Sequence, residues 1–256
     1  MRRIATLVFL FSLVSPTARA EEIDACDRLA ANPEDPQKVG SGVPFFEIDG
    51  PAAIDACRAA VERHPDLGRF RYQLVLALAR TKHFAESAAA IKPAAEAGYA
   101  AAEADLGYLL RDGRGVDLDA VAALRWSMLA AQQGYSPAMN DVGFSYANGL
   151  GVAVDFEQAL IWYRRAVAVG DRYAQKHLGD MYKNGSGVEQ SDSEAVRLYR
   201  FSAEQGYRGG ETALGLMLLA GRGTPMDVAG AIELFKRAAA QEEPDAIAQL
   251  ERLSAK

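Results

Sequence analysis

The apolar residues in the central part of the chain recur three and four positions apart, in stretches that come in pairs. Each pair has an Ala/Leu-rich stretch, a glycine-containing turn and a second apolar-periodic stretch, as in the segment from Val142 to Gly170. A spacing of three and four is typical of one face of an α-helix, which has about 3.6 residues per turn. Each pair of stretches therefore predicts a hairpin of two amphipathic helices.

This hairpin pattern is repeated with a constant step of 36 residues. The step relates four Gly-x-Gly pairs, at Gly113/Gly115, Gly149/Gly151, Gly185/Gly187 and Gly221/Gly223. It also relates four apolar-Gly pairs and a row of large apolar residues, at Leu106-Gly107, Val142-Gly143, Leu178-Gly179 and Leu214-Gly215, and at Trp126, Trp162, Leu198 and Leu234. A register kept over four copies indicates stacked repeats, in which each hairpin buries its apolar face against its neighbours.

Within each copy, the residue types suit particular places in a hairpin. The first glycine of each Gly-x-Gly pair follows the first helix, where a left-handed backbone conformation favours glycine. Side chains that can cap a helix N-terminus stand at the start of the second helix, at Asp119, Asp155, Ser191 and Asp227. Glycine in the middle of a helix is otherwise unfavourable, so we expect another helix to cross closely at Gly107, Gly143, Gly179 and Gly215.

The whole pattern resembles the Sel-one-like repeat (SLR) family, a relative of the tetratricopeptide repeat. Residues 138–170 match the family motif closely, and the resemblance extends from Ala100 to Ala246. The last copy departs from the motif, because Glu242 stands where a glycine ends the other second helices. The resemblance implies an all-α fold, a right-handed superhelical solenoid of stacked helical hairpins. It also implies a scaffold that binds a protein or peptide partner and needs no cofactor.

The remaining segments flank these repeats. Residues 21–50 predict a mostly irregular N-terminal segment, and residues 51–99 predict tetratricopeptide-like helices that lack the Gly-x-Gly turn. The four repeats occupy residues 100–135, 136–171, 172–207 and 208–243, and residues 244–256 predict a C-terminal capping helix. Because each repeat packs only on its neighbours, we expect one elongated domain.

The first 20 residues have the pattern of a secretory signal peptide. Arg2 and Arg3 precede an apolar run of about 11 residues, which is too short for the roughly 20 that span a bilayer, and Ala18-Arg19-Ala20 resembles a cleavage site. The pattern predicts export, with the periplasm favoured over secretion and no membrane span in the mature chain. Cleavage after Ala20 would leave 25 basic and 34 acidic residues, a net charge of −9. That charge argues against nucleic acid as a partner.

The chain has two cysteines, Cys26 and Cys57. In an exported protein an intramolecular disulfide is the expected state, and a closed loop of this length contributes about 3 to 5 kcal/mol to stability. Two reduced, buried cysteines are the alternative. The bridge would attach the irregular N-terminal segment to the first predicted helix of residues 51–99.

Residues that could carry chemistry are sparse and scattered. His64, His83 and His177 share no helical face and have no neighbours at metal-ligand spacing, so the sequence predicts no metal site. No nucleophile motif is present either, and the Gly-x-Gly pairs are better explained as turns than as phosphate loops. The sequence therefore favours a non-enzymatic scaffold of the cell envelope, with a regulatory role, over an envelope hydrolase or cell-wall-modifying enzyme.

In tetratricopeptide-like folds, the first helices line a groove. The repeat register places these candidate partner-binding residues there: Arg80, Tyr108, Arg111, Asn140, Phe144, Asn148, Lys176, Asp180, Lys183 and Leu216. With Asp112 added, four cations face two carboxylates on this strip, and Tyr108, Phe144 and Leu216 supply apolar anchors. One hypothesis is that the groove takes an acidic segment of a partner between aromatic contacts. The alternative is an ordinary solvated face.

Export and disulfide formation give the first testable prediction. Protein recovered from its native host should begin at Glu21 and have no free thiols at Cys26 and Cys57, because an oxidising compartment follows signal-peptide cleavage. Intact mass and peptide mapping under non-reducing conditions measure both properties. An N-terminus at Met1, or alkylation of both cysteines without prior reduction, would contradict the prediction.

Overall fold

The computed structural model describes residues 23–32, 38–114 and 116–254. The segment assigned to the signal peptide lies outside the described residues. A short 3₁₀-helix, Phe45–Glu47, precedes the first long helix. The described residues form thirteen α-helices: α1 (Ala25–Ala30), α2 (Gly50–Arg63), α3 (Gly68–Arg80), α4 (Phe84–Glu96), α5 (Ala100–Asp112), α6 (Ala120–Gln132), α7 (Ser136–Asn148), α8 (Phe156–Ala168), α9 (Arg172–Asn184), α10 (Asp192–Glu204), α11 (Arg208–Ala220), α12 (Val228–Ala239) and α13 (Pro244–Ser254).

The helices pack as a row of hairpins, which confirms the predicted all-α solenoid. The hairpins are α5 with α6, α7 with α8, α9 with α10, and α11 with α12. Each second helix also packs on the first helix of the next hairpin, and first helices of successive hairpins contact one another, from α5 to α7 and on to α9 and α11. The first helices therefore form a continuous inner layer, which is the concave side of the solenoid.

The two helices of a hairpin cross where the sequence has its mid-helix glycines. A Cβ atom on Gly143 would lie 2.7 Å from the ring of Tyr163, and one on Gly179 would lie 2.6 Å from the ring of Tyr199. Real Cβ atoms do not approach other atoms this closely, so only glycine allows the aromatic ring to cross the first helix. In the last repeat Phe235 takes the same place against Gly215.

The two glycines of the Gly-x-Gly turns at Gly149/Gly151 and Gly221/Gly223 have different roles. Gly149 ends α7 in a left-handed conformation, with φ 71°, as predicted for the first glycine. Gly151 is also left-handed, with φ 72°, and a Cβ there would overlap the carbonyl group of Ala120 at the start of α6 in the preceding repeat. Gly223 meets the carbonyl group of Asp192 in the same way. The second glycine therefore allows these two turns to pack on the preceding repeat, a role that the sequence analysis did not assign.

The predicted N-caps form at all four second helices. Asp119, Asp155, Ser191 and Asp227 each accept a hydrogen bond from the backbone N–H three residues later. These bonds satisfy donors that a helix N-terminus leaves free.

The core is made by the side chains that recur with the repeat. Tyr163, Tyr199 and Phe235 are buried, and so are Trp162 and Leu198. Trp126, at the equivalent place in the first repeat, is only partly buried, beside Ser127 at the position of the ring. These recurring side chains therefore belong to the buried core of the solenoid.

The N-terminal segment is attached to the helices behind it by a covalent bond and by buried polar contacts. Cys26 on α1 and Cys57 on α2 form a disulfide bond. Beside it the buried carboxylate of Asp27 accepts hydrogen bonds from Gln73 Nε2 (3.0 Å) and Arg69 Nε (3.3 Å) on α3. A buried carboxylate is stable only with such partners. The attachment of α1 therefore depends on both α2 and α3.

Glu242 keeps the turn that the other repeats make with glycine. Its φ is 59°, and Gly134, Gly170 and Gly206 have φ values of 88°, 88° and 71° at the equivalent positions. The chain then enters α13, which packs on α12 and buries Ala246. The turn that ends the last repeat therefore has the same left-handed backbone conformation as the others, although Glu242 stands in place of their glycine.

The strained conformation of Glu242 gives a stability prediction. Glu242→Gly should raise the free energy of unfolding by about 1 kcal/mol, because a side chain in the left-handed region is unfavourable. Gly170→Ala should lower it by a similar amount, since a Cβ there meets nothing within 4 Å and only the backbone conformation is affected. Denaturant unfolding measures both. A loss of stability in Glu242→Gly would show that the carboxylate itself is needed.

Candidate partner-binding groove

The concave face contains two recesses that are related by the repeat. The repeat 2–3 niche lies between α7 and α9, has a volume of about 280 Å³ and is lined by Phe144, Tyr163, His177, Met181, Asn184 and Ser186 among others. The repeat 3–4 niche lies between α9 and α11 and has a volume of about 420 Å³. The residues 36 positions further on line it: Asp180, Tyr199, Ala213, Met217, Ala220 and Arg222. The groove is therefore a row of equivalent niches with different chemistry.

Asp180 is the polar centre of the repeat 3–4 niche. Its Oδ1 accepts a hydrogen bond from the Tyr199 hydroxyl (2.7 Å) and its Oδ2 lies 2.8 Å from Lys176 Nζ. Lys183 Nζ lies 3.7 Å from Oδ1. Burial, and then the carboxylate of Asp180, raises the pKa of Tyr199 far above its ordinary value, so this hydroxyl stays protonated and donates. Leu216, with 40% of its surface exposed, supplies an apolar wall.

Aromatic rings dominate the repeat 2–3 niche. The ring of His177 stacks on Tyr163 and lies tilted against Phe144, with centroid distances of 5.6 Å in both cases. Burial, helped by the nearby charge of Lys176, lowers the pKa of His177 to about 4. His177 is therefore neutral at pH 7 and acts as a planar wall.

At the junction of repeats 1 and 2, the side chain of Arg111 lies against the aromatic rings of Tyr108 and Phe144. Its guanidinium lies 4.8 Å from the ring centroid of Tyr108 and 5.7 Å from that of Phe144. It is also bound by carboxylates, with Nε 3.0 Å from Asp112 and Nη1 3.2 Å from Asp141. Four contacts hold this cation in place, so it is a fixed part of the surface.

The structure brings most of the predicted groove residues together on one face. Phe144, Asn148, Lys176, Asp180, Lys183 and Leu216 line the two niches. Asn148 donates to the carbonyl of Phe144, and Asn140 Oδ1 is buried without a hydrogen-bond partner in the described part of the chain. Arg80 lies apart, where it donates to the carbonyl of Phe46 (3.1 Å).

The register missed several residues of this face. Tyr163 and Tyr199 belong to second helices, and their rings cross the first helices to reach the groove. Further carboxylates also join it: Asp141, Glu243 and Asp245. The sequence predicted more cations than carboxylates on this face. That excess does not hold for the groove as a whole, because its cations already have carboxylate neighbours. The sequence held a signal for these tyrosines, because an aromatic residue directly follows Trp162 and Leu198 in the repeat.

Two further properties bear on the kind of site. Within residues 23–32, 38–114 and 116–254, no cluster of three or more His, Cys, Asp or Glu side chains is arranged to hold a metal ion. In the same ranges, no helix combines the length and apolar character that a bilayer span requires.

The repeats match a known sequence profile. The profile of the Sel1 repeat matches residues 100–135, 136–171, 172–207 and 210–242, which together are more than half of the chain. The chain belongs to the Sel1 repeat family. No curated protein matches the chain at a significant level.

Solved structures show the same family relationship. A protective antigen of uropathogenic Escherichia coli strains with an SLR fold is 31% identical, with a TM-score of 0.64, over 79% of this chain and 45% of the antigen. A Sel1 repeat protein from Oxalobacter formigenes is 28% identical, with a TM-score of 0.66, over 83% of this chain and 61% of that protein. The chain thus spans less than two thirds of either protein. A sel1 repeat protein from Klebsiella pneumoniae, 19% identical with a TM-score of 0.54 over 78% of this chain and 99% of its own, shares the fold.

The carboxyl group of Asp141 gives a pH prediction. Burial raises its pKa to about 6, although the neighbouring Arg111 opposes the shift. The folded protein therefore binds the proton more tightly than the unfolded chain, whose Asp pKa is about 3.9, and this group makes stability fall as the pH rises from about 4 to 6. Asp141→Asn cannot titrate, so its stability relative to the wild type should increase over that range by about 1 to 3 kcal/mol.

Urea unfolding at several pH values measures this difference, and carboxyl NMR gives the pKa directly. A difference that stays constant with pH, together with a titration midpoint near 4, would contradict the assignment.

Proposed function

We propose that the mature chain is an exported scaffold that holds a segment of a partner protein in the groove, and that it works in the periplasm as a regulatory component of the cell envelope. Proteins of the Sel1 repeat family are generally scaffolds for protein–protein interaction. The proposal adds the location, the binding face and the acidic character of the partner segment.

The observation that carries the binding face is the row of open niches along the first helices. Each niche combines an aromatic or aliphatic wall with polar groups, and the contacts of Asp180 show that its carboxylate is held in a fixed position. Interfaces typically rely on such pre-positioned aromatic and polar anchors. An extended or helical segment lying along the groove could place one side chain in each niche.

The acidic character rests on the cations around the repeat 3–4 niche. Lys176 and Lys183 both pair with the carboxylate of Asp180, so these three side chains keep one formal positive charge, although Glu243 and Asp245 also line the niche. A carboxylate of the partner at the rim would meet these ammonium groups without entering the niche. Charge pairs of this kind favour association and select the partner more than they add affinity.

Export is supported by the bridge between Cys26 and Cys57 and by the pattern of residues 1–20. Disulfides persist in oxidising compartments such as the periplasm. No observation on the described residues favours the envelope hydrolase that the sequence left as an alternative.

Capture of the partner tests the role of the lysines. Mature protein should retain a specific partner from the envelope fraction of its host, and Lys176→Glu with Lys183→Glu should weaken that capture about tenfold, because two cations become anions beside Asp180. The matched control is Arg164→Glu with Arg200→Glu, which changes the net charge equally at exposed positions on α8 and α10.

Quantitative binding to the purified partner at two salt concentrations completes the test. The groove variant should also have a smaller salt dependence. Equal loss in both double variants, or loss in neither, would exclude an electrostatic role of the groove in partner binding.

A further inference from the structure

In the repeat 3–4 niche, the protein itself supplies an acceptor for the tyrosine hydroxyl. There, the Tyr199 hydroxyl donates to the carboxylate of Asp180, which Lys176 and Lys183 flank. Asp180 follows Gly179, the residue that Tyr199 crosses. The acceptor for the tyrosine is thus built into the helix that the ring passes.

The repeat 2–3 niche has the same donor without the acceptor. Tyr163 crosses α7 at Gly143, and the next residue is Phe144, whose side chain cannot accept a conventional hydrogen bond. Tyr163 has only 2% of its surface exposed and lines the niche, and its hydroxyl has no hydrogen-bond partner among the residues the structure describes. This hydroxyl oxygen is not fully enclosed, so it can be reached from the niche, where a ligand or water can accept its hydrogen bond.

The three charged positions around Tyr199 are all occupied by uncharged residues one repeat earlier, around Tyr163. The positions of Lys176, Asp180 and Lys183 are occupied one repeat earlier by Asn140, Phe144 and Ala147. The counterparts of this carboxylate and of its flanking cations are therefore absent from α7, and the charged groups that α9 contributes to the repeat 2–3 niche, Lys176 and Asp180, are paired with each other. The carboxylates nearest to Tyr163, Asp141 and Asp180, already have cationic partners in Arg111 and Lys176.

These groups favour an uncharged acceptor over a carboxylate. An anion in the niche would lie near the carboxylates of Asp180 and Asp141, and the lysine in its lining, Lys176, is already paired with Asp180, so a bound anion is unfavourable away from water. A carboxamide has both a carbonyl oxygen, which can accept from Tyr163, and an NH₂ group, which can donate to an oxygen of Asn184 or Asp180 at the wall of the niche. Its planar group also suits the space beside the rings of Phe144 and His177.

We propose that the repeat 2–3 niche binds the side-chain carboxamide of an Asn or Gln residue of the partner, with the Tyr163 hydroxyl as the donor to its carbonyl oxygen. This proposal rests on the proposed function, because the partner segment must lie in the groove. The partner segment would then need two different groups at neighbouring places: an uncharged amide in the repeat 2–3 niche and an acidic group at the rim of the repeat 3–4 niche.

Three probes of nearly the same shape test the chemistry: the N-acetyl methylamides of asparagine, aspartate and leucine. They share both backbone amides, so only the end of the side chain differs. Titration of the mature protein at pH 7 and constant ionic strength, followed by the ring NMR signals of Tyr163 and His177, should show binding of the asparagine probe at least several-fold tighter than the other two. Binding of the leucine probe as tight as that of asparagine would mean recognition of the backbone or of apolar surface, and tighter binding of aspartate would mean a carboxylate site. Either outcome overturns the proposal, as does the absence of binding by all three probes.

Two variants test the donor. Tyr163→Phe keeps the ring and should weaken binding of the asparagine probe about tenfold, whereas Tyr173→Phe removes a hydroxyl outside the niche, where it accepts from Arg172, and should leave it unchanged. The pair Asn140→Lys and Phe144→Asp reproduces the repeat 3–4 arrangement and should abolish binding, with circular dichroism and thermal unfolding as checks that the fold is kept. If Tyr163→Phe binds as tightly as the wild type, the proposal is wrong.

The probe titration needs no partner, so it is independent of the capture experiment. Probe selectivity without partner capture would leave the niche assigned and the scaffold function wrong. Capture that is unaffected by Tyr163→Phe, with no probe selectivity, would leave the scaffold function standing and remove this proposal.

Discussion

The close crossing of the two helices in each hairpin, with a glycine on one and a ring on the other, is the contact on which the rest of the structure depends. At Gly143 and Gly179 a methyl group would collide with the ring of Tyr163 or Tyr199. Because the ring passes directly beside the backbone of the first helix, the tyrosine reaches from the core to the concave face. One contact therefore determines both the spacing of the helices and the donors available in the groove.

The same contact explains why the niches differ along the solenoid. Phe235 makes the crossing in the last repeat without a hydroxyl, and Ser127 takes the place of the ring in the first. Only repeats 2 and 3 therefore present a tyrosine hydroxyl at these crossings. The residue after the crossing glycine then decides whether that hydroxyl has an acceptor on the helix it crosses, as with Asp180, or has none there, as with Phe144.

Charged side chains on the concave face are positioned mainly by ion pairs with their immediate neighbours, and less by the overall electrostatic field of the face. Arg111 is bound by Asp112 and Asp141, and Arg222 makes two hydrogen bonds to Asp192. Exposed pairs of this kind add little stability, but they hold long side chains in one orientation. The selectivity of the groove therefore depends on individual niches and on their immediate neighbours.

The sequence alone determined the architecture, because the information for it is periodic. Turn glycines such as Gly149, caps such as Asp155 and core positions such as Trp162 act through their own backbone or through a neighbour one repeat away, so a step of 36 residues reveals them. The disulfide was also predictable, because the chain has only two cysteines and a pattern typical of export. Much of the predicted strip does line the niches, because the helical period places residues of one face in register.

The tertiary structure decided what the repeat alone leaves open. Gly151 packs on the carbonyl of Ala120, and Asp27 is buried against Arg69 and Gln73, contacts between residues about 30 to 46 positions apart that no local pattern encodes. Tyr163 extends past the first helix into the groove because the two helices cross at Gly143. The same crossing places Phe144, which cannot accept a hydrogen bond, next to the glycine that the ring passes. Periodicity determines which face a side chain occupies, but only the packed helices determine which atoms it meets there.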